Sequence, residues 1–73
     1  MKVRELPIGY NSLVLVWHYE TVTDGGETFE DAIDLTNKVT KFEVVKRKFG
    51  NMKVISTTPR DYYGEPVIDI EVE

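Results

Sequence analysis

The sequence predicts a mainly β fold. It points to a small antiparallel sheet of four to six strands, curled or partly closed into a barrel, with one short helical turn expected near residues 29–35. Three observations carry this. Residues 13–22 are rich in aliphatic and aromatic side chains, residues 67–73 alternate apolar with acidic, and turn signals such as Asp24-Gly25-Gly26 and Gly50-Asn51 punctuate the chain. Curling or closure is expected because a flat small sheet leaves its edges open.

The elements follow in order. Residues 1–6 alternate loosely through Val3 and Leu6 and stop at Pro7, which cannot donate to a ladder. Residues 8–12 read as a loop. Residues 13–22 are the strongest strand: Leu13, Leu15, Trp17 and Tyr19 share one face, and Val14, Val16, His18 and Glu20 the other. The next turn is Thr23-Asp24-Gly25-Gly26, where glycine tolerates positive φ. Residues 28–35 read two ways. As a strand, Phe29, Ile33 and Leu35 align but Asp31 joins them. As a short helix, Thr28 caps and Glu30 and Asp31 lie in the first turn, where acids suit the dipole. A turn of helix or an irregular excursion is slightly favoured.

Residues 39–49 read as a second strand, with Phe42 and Val44 on one face and Val39, Val45 and Phe49 on the other. Gly50-Asn51 then predicts a hairpin, returning through Val54 and Ile55. Residues 59–66 read as a loop bounded by prolines. In the last strand Ile68, Ile70 and Val72 oppose Asp69, Glu71 and Glu73, the pattern of a half-buried strand with an acidic outer face.

A chain of 73 residues is expected to form a single domain, 1–73, around one small core. At typical per-residue values its total stability is roughly 4–11 kcal/mol. The absence of cysteine excludes disulfides and thiolate metal sites. The longest apolar run, residues 13–17, is far short of a membrane span, and the first six residues lack a signal peptide's apolar stretch. A cytoplasmic protein with no membrane partner is therefore expected.

Net charge is −4, which disfavours generic phosphate binding. The charge is banded. Residues 20–34 carry six acids and no base, 38–53 six bases and one acid, and 61–73 five acids and no base.

Little in the chain resembles catalytic machinery. His18 is the sole histidine, and neither Ser12 nor Ser56 sits in a nucleophile-elbow glycine pattern. One histidine with scattered carboxylates is a poor transition-metal set. The carboxylate pairs Glu30 with Asp31 or Asp34, and Asp69 with Glu71, read as solvated faces rather than as a cleft with separated pKa values. Asp24-Gly25-Gly26 is too short to cradle a phosphate. The chain is expected to be non-enzymatic and to need no cofactor.

Two surfaces stand out. Arg60, Tyr62 and Tyr63 bring the residue types enriched at interface hot spots into one segment. Lys46, Arg47, Lys48 and Lys53 cluster around Phe49 in the expected hairpin 41–53, and a basic β-ribbon of this kind can enter a groove or track a single strand. The same bases could instead face the acidic strand 67–73.

The opening Met1-Lys2-Val3-Arg4-Glu5-Leu6, the early Val14-Leu15-Val16-Trp17 and the closing Ile68-Asp69-Ile70-Glu71-Val72-Glu73 give the chain an outline that resembles small accessory proteins encoded by bacteriophages and prophages. The resemblance implies a binding role toward a host protein, in some cases inhibitory, and a place in the host cytoplasm. It transfers no active site. The expected function is a small protein-binding module, a phage-type accessory or inhibitor. The alternatives are a nucleic-acid-binding module using the basic hairpin, and a self-assembling protein that forms homo-oligomers through edge strands such as 67–73.

Overall fold

A computed structural model describes residues 1–73. Strand β1 (Leu13–Asp24) turns at Gly25-Gly26 into β2 (Glu27–Asp34). Both glycines have positive φ, 59° and 85°, as a two-residue type I′ hairpin turn requires. A two-residue strand β3 (Thr40–Lys41) leads into helix α1 (Phe42–Phe49), and the chain closes with the hairpin β4 (Val54–Tyr62) and β5 (Glu65–Val72). A 3-10 turn, Val3–Glu5, precedes them all.

The mainly β class holds, and the sheet is open rather than closed into a barrel. Its strand order is β2-β1-β5-β4, with β3 also paired to β1. It is mixed, not antiparallel: β5 runs parallel to β1, from Leu13 opposite Val67 to His18 opposite Val72. A parallel pair needs a crossover connection, and the segment carrying α1 supplies it. Strand 67–73, expected as an edge for self-assembly, is interior, lying between β1 and β4. The edges are β2 and β4.

Four local expectations are corrected. Residues 42–49 form a helix, because Phe42, Val45 and Phe49 then fall on one stripe against the sheet. Its first amides are satisfied from outside the helix: Phe42 N donates to Ser12 O (2.8 Å) and Glu43 N to Tyr10 O (3.0 Å). Lys46, Arg47 and Lys48 fill the last turn, where cations complement the helix dipole. Second, Gly50-Asn51 is the end of this helix and not a hairpin turn, so the hairpin 41–53 does not exist. A Cβ on Gly50 would lie 2.3 Å from Lys46 O.

Third, residues 27–34 are strand. Asp34 ends β2 with an Asx turn, its Oδ1 accepting from Thr36 N (3.1 Å), Thr36 Oγ1 (2.7 Å) and Asn37 N (3.0 Å). Fourth, the proline-framed loop is a hairpin. Pro59 lies in β4 and Pro66 in β5, opposite Ile68 and Asp61 respectively. Proline is tolerated at Pro59 because β4 is an edge. The turn itself is Tyr63-Gly64, with φ of 53° and 84°.

The core lies between one sheet face and a layer made by α1 and the N-terminal turn. Val14 and Val16 from β1, Ile70 and Val72 from β5, Phe42 and Val45 from α1, and Val3 are all buried there. The N-terminal segment is clamped to the region after the helix: Val3 N donates to Met52 O, Arg4 N to Gly50 O, and Val54 N to Met1 O. Glu5 Oε1 accepts from Lys2 N (2.8 Å), and this hydrogen bond holds the Glu5 carboxyl below the usual carboxylate range. No helix is long and apolar enough to cross a membrane.

Candidate functional site

Side chains alternate across a strand, so the register fixes what the uncovered outer face displays. Trp17 and Tyr19 come from β1, Asp69 and Glu71 from β5, and Thr58, Arg60 and Tyr62 from β4. Together with Ala32 of β2, most of them line a shallow concavity of about 370 Å³.

Asp69 organises this face. One carboxylate oxygen, Oδ1, accepts from Trp17 Nε1 (3.2 Å), and the other, Oδ2, lies 3.3 Å from Arg60 Nε. The carboxylate thereby ties three strands together side chain to side chain. The guanidinium of Arg60 also lies over the Tyr62 ring, 5.5 Å from its centroid. Arg60 is partly exposed, so the ion pair adds little to stability. Its main effect is to hold the guanidinium over the Tyr62 ring.

The tip of the β4–β5 hairpin continues this surface. Tyr62 and Tyr63 meet edge to face, with centroids 4.7 Å apart. Tyr63 is 92% exposed and sits at positive φ in the first position of the turn. In the other hairpin the equivalent position is Gly25. A tyrosine there is an uncommon choice, because a side chain in the left-handed region crowds its own carbonyl. Arg60, Tyr62 and Tyr63 are therefore brought together by a strand and its turn, not by a proline-framed loop.

The basic residues are dispersed. Phe49 packs against the core, and Lys53 Nζ lies 3.7 Å from Glu73 Oε1. Lys46 Nζ donates to Tyr10 Oη (3.4 Å) and sits 5.0 Å from that ring's centroid. Arg47 and Lys48 are exposed beside a groove of about 400 Å³ that Arg4 and Asn51 also line. Arg4 Nη1 donates to Asn51 Oδ1 (2.8 Å). The ribbon geometry on which the nucleic-acid reading rested is absent. Of the bases in residues 46–53, one reaches the acidic end of β5.

His18 and Ser56 lie on opposite faces of the sheet. His18 Nε2 is 3.5 Å from Glu20 Oε1, while Ser56 Oγ donates to Glu71 Oε1 (3.5 Å). Comparison with protein-family models, curated proteins and solved structures returns no significant match.

The alternation of residues 13–22 puts Trp17 and Tyr19 on one face but does not join them to Arg60. That link needs the parallel β1–β5 register, which sets Leu15 opposite Asp69. The side-chain types gave no signal of it.

Proposed function

We propose that this chain is a non-enzymatic protein-binding module whose contact surface is the outer sheet face and the adjoining Tyr62-Tyr63 tip. The observation that carries the reading is Tyr63: a fully displayed aromatic side chain held at a strained backbone position. Strain of this kind collects at functional sites. The neighbours fit, since Trp17, Tyr19, Arg60 and Tyr62 belong to the residue types that dominate interface hot spots. The principal extents, 44 × 29 × 17 Å, give a broad face able to supply the roughly 800 Å² per partner of an ordinary interface. The resemblance to phage-encoded accessory proteins makes a bacterial host protein the first partner class to test.

The test is affinity capture from bacterial lysate with wild type, Tyr63→Ala and an Arg47→Ala control on the opposite layer. A stoichiometric partner held by wild type and the control, and lost by Tyr63→Ala, supports the reading. Capture of no stoichiometric partner, or of one that all three retain equally, refutes it.

A further inference from the structure

Strand β1 outruns the sheet. It pairs with β5 only from Leu13 to His18, whereas its pairing with β2 continues to Asp24 opposite Glu27. Residues 19–24 and 27–32 therefore form a two-stranded arm, about 20 Å long at the usual rise per residue.

On the helix-side face, the row that begins with buried Val14 and Val16 continues along the arm as Glu20, Val22 and Asp24. Directly opposite stand Asp31, Phe29 and Glu27. The register thus sets two carboxylate pairs, Glu20 with Asp31 and Asp24 with Glu27, on either side of one apolar pair. Phe29 is 49% exposed. Residues 19–34 contain no lysine or arginine, and the one basic side chain near these acids is the His18 imidazole, 3.5 Å from Glu20.

Like charges directly opposite each other oppose strand pairing, and a two-stranded ribbon alone is marginal in water. This arm carries both burdens. Its outer strand β2 is also a free edge, offering unpaired backbone groups to an added strand. A second copy is a poor occupant of that edge, because antiparallel pairing of two β2 strands about Phe29 would set Glu27 against Asp31 twice.

We propose that β2 receives an extended segment of a partner protein by strand addition, and that the segment carries the pattern Lys/Arg-x-apolar-x-Lys/Arg. Alternate residues of an added strand fall on one face. The pattern therefore sets a cation against Glu27, an apolar side chain against Phe29 and a second cation against Asp31. The cations neutralise Glu27 and Asp31 from the free-edge side, which weakens their repulsion with Asp24 and Glu20 on β1, and the apolar residue covers Phe29. This surface is distinct from the outer face, and the inference does not depend on that face binding anything.

The experiment titrates the whole chain with a short peptide containing Lys-Thr-Ile-Thr-Lys, followed by backbone amide NMR and amide exchange. The controls are the same peptide with Ser for Ile, and Glu27→Gln/Asp31→Asn protein. The expected result is saturable binding, shifts centred on residues 27–33 and added exchange protection there. Each control should weaken binding about tenfold or more, the effect of losing about 1.4 kcal/mol. Without peptide, the double variant should show greater arm protection than wild type, because the repulsion is gone. Equal binding of both peptides, shifts centred on Arg47 and Lys48 or on the outer face, no saturation, or lower arm protection in the variant would each overturn the proposal. So would concentration-dependent sedimentation of wild type with exchange protection gained at residues 27–33, which would identify a second copy as the occupant.

Discussion

Replacing Tyr63 by Asn should stabilise the protein while removing its most exposed aromatic group. Tyr63 has φ of 53°, and a side chain in the left-handed region costs about 1–2 kcal/mol. Asn relieves much of that cost because it visits this region readily. The opposing term is the edge-to-face contact with Tyr62, worth about 0.5 kcal/mol at so exposed a site. The net gain is about 0.5–1 kcal/mol, a rise in Tm of about 2–8 °C for a domain of this size. Urea denaturation followed by Trp17 fluorescence measures it, with an unchanged m-value expected. Making the substitution in a Tyr62→Ala background removes the aromatic contact from both sides of the comparison and isolates the relief of strain, about 1–1.5 kcal/mol. A loss of stability in that background would refute the reasoning, since the backbone at residue 63 would then not be under strain.

Other substitutions test the frame around the site. Gly50→Ala should cost about 2 kcal/mol or more, because its Cβ meets the Lys46 carbonyl, which is helix backbone and cannot rotate away; a denaturation midpoint close to wild type would contradict this. Asp69→Ala should leave stability nearly unchanged, within about 1 kcal/mol, yet free Arg60 and the Trp17 indole. A Trp17 emission spectrum and quenching profile identical to wild type would rule out that coupling. For Glu5, the folded carboxyl titrates below its unfolded value of about 4.3, so its hydrogen bond to Lys2 N supports the folded state above that pH and is lost as pH falls through the lowered folded value. An NMR titration of Glu5 at or above the ordinary carboxylate value would remove the basis for this.

Period-two patterning made β5 legible, the aliphatic and aromatic run of residues 13–22 made β1 so, and Asp24-Gly25-Gly26 marked the turn that follows it. It failed where tertiary partners decide. Residues 39–49 alternate passably as a strand and contain the β-branched pair Val44 and Val45, yet Phe42, Val45 and Phe49 also have helical spacing. The choice falls to the carbonyls of Tyr10 and Ser12, which complete the first turn of α1, and no local pattern encodes them. Residues 28–35 show the converse. Their acids suit a helix start, but β1 needs an antiparallel neighbour, and the tight glycine turn delivers β2 to it. At the candidate site Arg60, Tyr62 and Tyr63 were visible as a cluster. The contribution of Asp69 was not, because it arises from a pairing between distant strands.

That pairing also shapes how the chain reaches its native state. The two hairpins are local in sequence, but the seam joining them sets Leu13 beside Val67, 54 residues later. Contacts of such high contact order form slowly, since a long loop must close before they contribute. Each hairpin can therefore form early, while their union waits for the final strand. During synthesis β5 leaves the ribosome well after β1, so the helix-side face of β1 lacks this neighbour until β5 has emerged. Strand β5 is thus a late step of folding as well as the middle of the sheet.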